Sequence, residues 1–298
     1  MRERGVQPFS GLTPQQAREL TAAGVRPPTE AVGDVASVVL ARGDHTEFEV
    51  RVVSPVGDPA GVIVYLHGGG WVVGSVDGAE PVARRLANLA GCTVVLPDYS
   101  LAPERPFPCA LDDVRQTMGY VEASPLGGLP LVIAGDSAGG NLAAVTALRS
   151  RRDAEIRISQ QVLVYPVVDT DMTRPSYRDP GNQLLLTAAD MAWFAAHYAT
   201  EAQRATPDVA PLQASSLAGL PPTVLVQAPH DVLFDEGSAY GQALRDAGVP
   251  VDRWVVPGQM HGFFTLFDLL PGGAEAVEFV AAAITGELAR RPDPASAG

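Results

Sequence analysis

The sequence predicts an α/β protein built on a mostly parallel, eight-stranded sheet flanked by helices, with a helical cap. Three observations carry that expectation. Short apolar, β-branched runs alternate with longer amphipathic stretches along most of the 298 residues, the rhythm of strand–helix–strand units. The inner runs are apolar throughout rather than at every second residue, as strands covered on both faces are. A stretch at 167–212 breaks the rhythm, and such an insertion commonly lies over the carboxyl edge of the sheet, where ligands bind.

The strands are expected at 35–40, 47–53, 61–66, 93–98, 131–136, 158–166, 223–228 and 251–257. The first two alternate or sit among charges, which marks an antiparallel pair at the edge. Helices fit at 80–90, 110–123, 138–150, 235–247 and 273–289, and another at TPQQARELTAAG near the start. Asp235 and Glu236 open the fourth of these, where the helix dipole favours carboxylates. Within 167–212 an aromatic-rich helix spans about 184–199, capped by Thr187 or Asp190. The domain reading follows: 1–45 a cap segment with an early strand, 46–166 the first part of the core, 167–212 the cap insertion, 213–290 the rest of the core, and 291–298 a disordered tail.

Composition narrows the chemistry. The chain has 21 Arg, no Lys and 34 acidic residues, for a net charge of −13. Without lysine there is no phosphate-binding loop of the G-x-x-x-x-G-K type, no Schiff base and no serine–lysine pair. The acidic balance argues against nucleic acid and anionic membranes. Cys92 and Cys109 are too few for a disulfide framework or a structural zinc site, and Cys92 reads as a buried core thiol. No run has the length of a membrane span or a signal peptide, so a cytoplasmic location is expected.

The strongest local signal is LVIAGDSAGGNLAA at 131–144, a strand, then Gly135-x-Ser137-x-Gly139, then a helix. The glycines permit a sharp turn that lifts Ser137 above the sheet, beside a helix N-terminus that favours developing negative charge. A second signal, YLHGGGW at 65–71, also follows a strand. Its three glycines let backbone N–H groups approach a ligand oxygen, so Gly69 and Gly70, with Ala138, are the expected oxyanion donors. His67 reads as an orienting residue of that loop. A serine hydroxyl needs a base, and with no lysine that base is one of five histidines. His261 is the best placed, in a loop after the last strand. Its orienting acid comes from the loop after strand 223–228, which offers Asp231 and Asp235. Asp231 lies nearer the strand end, whereas Asp235 reads as a helix N-cap.

Together HGGGW, DYSLAPERPFPCALDD, GDSAGG, HDVLFDEG and HGFF resemble the bacterial hormone-sensitive-lipase-like esterases of the α/β-hydrolase superfamily. The likeness runs from about residue 45 to 285. It implies the α/β-hydrolase fold and carboxylester hydrolysis by Ser137, Asp231 and His261, with the oxyanion on Gly69, Gly70 and Ala138. It also implies no metal, no cofactor, a small-molecule ester as substrate, short to medium acyl chains, and possible pairing into a homodimer. Four positions depart from the family pattern: Val232 stands where a proline follows the acid, Ser100 where an arginine forms an ion pair, and Pro229–His230 where Glu-Tyr precedes the acid. Asp98, Glu104, Asp112 and Asp113 read as structural. Met191, Trp193, Phe194 and Tyr198 form an apolar face for an acyl pocket, with Trp71 and Phe263 beside it. Two alternatives stand: an acetyl-hydrolase of one small metabolite, and a non-catalytic ligand receptor on the same fold, from which the base is expected to be lost.

Overall fold

A computed structural model describes residues 7–151 and 156–290, so the expected tail at 291–298 lies outside the described residues. Eight strands form one sheet: β1 (Asp34–Ala41), β2 (Glu47–Ser54), β3 (Val62–Leu66), β4 (Thr93–Pro97), β5 (Leu131–Asp136), β6 (Ile158–Val164), β7 (Thr223–Gln227) and β8 (Val251–Val255). Their order is β1-β2-β4-β3-β5-β6-β7-β8. Only the β1–β2 and β2–β4 pairs are antiparallel; from β4 to β8 every pair is parallel. Strands β3, β4 and β5 are buried along their whole length, which is why they read as unbroken apolar runs.

The helices are α1 (Pro14–Ala23), α2 (Val76–Ala90), α3 (Cys109–Ala123), α4 (Ala138–Ser150), α5 (Pro175–Arg178), α6 (Ala188–Tyr198), α7 (Glu201–Arg204), α8 (Phe234–Asp246) and α9 (Pro271–Ala289). Helices α2 and α9 cover one face of the sheet, and α3, α4 and α8 the other, giving two apolar core layers. Cys92 is buried in the first layer, as expected of a core thiol, and burial pushes it up to about 11. Helix α2 begins four residues before its expected start, because Ser75 accepts from the Gly78 N–H as N-cap.

Three short helices, α5 to α7, fill the interval between β6 and β7. Helix α6 is shorter than the expected 184–199, and both expected capping residues serve it. Thr187 accepts from the Asp190 N–H, and the Asp190 carboxylate accepts from the Thr187 N–H, a capping box. The other oxygen of Asp190 accepts from the Ser10 N–H at 2.8 Å, and Phe9 packs on Phe194 with ring centroids 5.2 Å apart. The N-terminal segment is thereby fastened to α6.

One expectation at the start of α8 is corrected. Asp235 is not its N-cap; Leu233 holds that position, and Asp235 lies in the first turn, accepting from the Ser176 N–H. Glu236 lies in the first turn as expected and is fully buried, that side of the helix facing the segment after β6. The arginine missing at position 100 is also made good. Ser100 Oγ donates to the buried Asp113 carboxylate at 2.6 Å, and Arg42, one residue past β1, supplies the ion pair at 2.8 Å.

Candidate active site

The strand edge that β3, β5, β7 and β8 present together gathers the reactive side chains. Ser137 follows β5 directly and has φ 56° and ψ −118°, a strained conformation that points its side chain out of the turn between β5 and α4. The turn is held by the Ser137 N–H donating to the Val164 carbonyl, while the Ser137 carbonyl accepts from Asn141 and Val167. Gly139 is obligatory here, since a Cβ on it would fall 1.9 Å from the Leu66 carbonyl oxygen. That contact presses the start of α4 against the end of β3, where the glycine loop begins.

Asp231 and His261 are thirty positions apart in sequence and adjacent in the fold. His230 and Met260 form a parallel bridge beyond the ends of β7 and β8, with the His230 N–H donating to the Gln259 carbonyl. The next residue on each side is therefore placed next to the other. His261 Nδ1 lies 2.7 Å from Asp231 Oδ2, and Nε2 lies 3.0 Å from Ser137 Oγ. A carboxylate only accepts, so Nδ1 carries the proton and the Nε2 lone pair faces the hydroxyl. Asp231 is 1% exposed and its other oxygen accepts from the Leu233 N–H. Tyr165 packs on the imidazole with centroids 4.6 Å apart.

The glycine loop sits across from Ser137. Among the described residues, the N–H groups of Gly69, Gly70 and Ala138 donate to no other group, so they are free to receive an anion. Gly68 is pinned by its N–H donating to Asp136 Oδ1, which also accepts from the Tyr65 hydroxyl. Burial pushes Asp136 up from the ordinary carboxylate range. That residue ties the Ser137 turn to the glycine loop, a role that reading the two motifs separately missed; its signal was its place between Gly135 and Ser137. His67 is buried, with Nδ1 2.7 Å from the Gly68 carbonyl and its ring stacked on Tyr99. Burial lowers its pKa to about 4, so it is a neutral imidazole under ordinary conditions.

Of the expected pocket residues, Phe194 lies against Gly70 of the glycine loop. A Cβ on Gly70 would fall 2.2 Å from its ring. Trp193 is half-buried beside it, and Met191 and Tyr198 are buried, Tyr198 stacked on Trp71 at 4.3 Å. Phe263 departs from its expected position. It is 0% exposed and packs edge-on against Tyr165 in the core layer under α2 and α9, drawn there by the short helical turn that follows Gly262. Among the described residues no three His, Cys, Asp or Glu side chains gather as a metal ion requires, and no helix is long and apolar enough to cross a membrane.

Residues 63–265 match a family described as the alpha/beta hydrolase fold. The chain is 37% identical to carboxylesterase NlhH of Mycobacterium tuberculosis, over 78% of this chain and 76% of that protein. It is 36% identical to an ethyl acetate hydrolase of Pseudomonas putida, over 83% of this chain and 80% of the other. The solved structure of a hyperthermophilic esterase from Pyrobaculum calidifontis superposes with a TM-score of 0.84 at 36% identity, covering 91% of this chain and 92% of that one.

Proposed function

The chain belongs to the α/β-hydrolase family, in its hormone-sensitive-lipase-like branch, and is a carboxylic ester hydrolase; on that premise we propose that it cleaves short- to medium-chain esters through a Ser137–His261–Asp231 triad. The observation that carries the reading is the unbroken chain of contacts from Ser137 Oγ through His261 to Asp231, at 3.0 and 2.7 Å. As Ser137 attacks the ester carbonyl, His261 Nε2 takes its proton and Asp231 stabilises the imidazolium while holding the tautomer. The negative oxygen of the tetrahedral intermediate is received by the amides of Gly69, Gly70 and Ala138, each such donor lowering the barrier by about 3 kcal/mol. The proton passes to the leaving alkoxide, and an acyl ester remains on Ser137. Water, deprotonated by His261, then attacks that ester, and the acid leaves as the serine regains its proton.

The N-terminal segment ahead of β1 and residues 167–212 act as one cap over the core, to which the early strand β1 adds its edge. The Ser10–Asp190 hydrogen bond and the Phe9–Phe194 contact support this, since they join the two segments. Phe194, lying against the Gly70 backbone, bounds the acyl side and favours small acyl groups. The related ethyl acetate hydrolase agrees with a short acyl preference. Ser137→Ala is expected to abolish hydrolysis of p-nitrophenyl esters and labelling by a fluorophosphonate probe; a fully active variant would refute the triad. A graded series of p-nitrophenyl esters is expected to peak at short to medium chains, and activity confined to one acetylated metabolite would favour the acetyl-hydrolase reading instead.

A further inference from the structure

The loop that carries Asp231 is fastened to the segment after β6 by hydrogen bonds that the proposed chemistry does not use. Ser176, in α5, is 5% exposed. Its Oγ donates to the Val232 carbonyl at 2.7 Å and accepts from the Asp235 N–H at 3.3 Å. Its own N–H donates to Asp235 Oδ2 at 2.8 Å. One residue further on, Glu236 accepts from the N–H groups of Val168 and Asp169 and from the Tyr177 hydroxyl. Every one of these bonds joins residues 232–236 to residues 168–177.

Asp231 opens a turn in which the Phe234 N–H donates to the Asp231 carbonyl. Val232 is the second residue of that turn, the position at which proline is favoured because its ring sets φ in advance. Valine supplies no such restraint, and the angle at which the Asp231 carboxylate reaches His261 depends on how the turn is held. The only group that grips the Val232 carbonyl among the described residues is the Ser176 hydroxyl.

We propose that Ser176 is a positioning residue for Asp231: its hydroxyl clamps the Val232 carbonyl and orients the turn from which the acid meets the base. The proposal rests on the triad reading above. It makes the inserted segment part of the acid's support, in addition to its place over the pocket. A misplacement of about 1 Å in such a support costs on the order of a hundredfold in rate.

The test uses the full chain and three variants, S176A, V232P and S176A/V232P, assayed on p-nitrophenyl acetate. S176A is expected to lower kcat about ten- to hundredfold with KM within about threefold of wild type, and to slow fluorophosphonate labelling of Ser137 by the same factor. V232P replaces the lost restraint by a covalent one. The Val232 N–H donates to nothing among the described residues, so proline forfeits no hydrogen bond there. In the double variant it is expected to recover most of the lost kcat. A merely structural serine would shift melting temperature without this rescue of labelling rate. If S176A does not fold, S176C keeps the volume with a weaker donor and is judged by the same measures. An S176A enzyme with kcat within twofold of wild type, or a loss that V232P leaves unrepaired in folded protein, overturns the clamp. An active S137A would instead overturn the triad, so the two failures are distinguishable.

Discussion

Asp231→Asn keeps the shape of the acid but presents an amide that can donate where the carboxylate only accepted. The imidazole is then free to take the other tautomer, with its Nε2 proton facing Ser137, and kcat is expected to fall about 10⁴-fold while KM changes little. Gly70→Ala is the complementary test of the oxyanion side. Its methyl would lie 2.2 Å from the Phe194 ring, and the residue has φ 58°, which penalises any Cβ. Activity is expected to drop at least about a hundredfold, and Phe194→Ala in that background restores part of it by removing the collision but not the strain. His67 gives a pH prediction. Its folded pKa of about 4 lies below the ordinary 6.5, so the unfolded chain binds more protons between those values. Stability contributed by the neutral imidazole is complete above about pH 6.5 and is lost as pH falls toward 4. A thermal-unfolding series on His67→Gln is expected to lack that part of the acid decline. Ser137, Asp231 and His261 were singled out in the sequence because each lies in a recognisable motif past a strand, Ser137 directly after β5 and the other two in the loops after β7 and β8. Asp136, Ser176 and Tyr165 were not, because what they touch is set by parts of the chain 56 to 96 residues away.

Elements were legible where burial alone decides them. Strands β3 to β5 follow from apolar runs that only a covered sheet tolerates, and β1–β2 from their alternation. The beginnings of helices were less so. Helix α8 has no side-chain cap, and Asp235, in its first turn, accepts from the Ser176 N–H instead of capping, so the N-cap reading of Asp235 failed. The Arg42–Asp113 pair shows how one element mends another: β1 is an edge strand, yet the residue that follows it neutralises a carboxylate buried in α3. Arg42→Ala leaves that charge with only the Ser100 hydroxyl and amide, and is expected to destabilise the fold by about 3 kcal/mol, read from urea unfolding. Ser100→Ala is expected to cost less, since the ion pair remains.

At the scale of the molecule, Ser137, Asp231 and His261 lie in loops that follow strands of the sheet, and two segments distant in sequence meet in the proposed cap. Their joint is the Ser10–Asp190 bond, spanning 180 positions, and no pattern in either segment announces it. Removing residues 1–12 deletes that bond and the Phe9–Phe194 contact. The expected outcome is a KM increase that grows with acyl chain length while fluorophosphonate labelling of Ser137 stays near wild type.

The bridge between His230 and Met260 has a dynamic consequence. It lies past the end of the β7–β8 ladder, which closes at Gln227–Val255, and ties the loop of Asp231 to the loop of His261, so a fluctuation that lifts one carries the other with it. The His230 amide, bonded to the Gln259 carbonyl, is the backbone proton of that bridge, one residue before Asp231. Its hydrogen-exchange rate therefore reports how often the pair comes apart, and a ligand that tightens the couple will slow that single amide more than its neighbours in the surrounding loops.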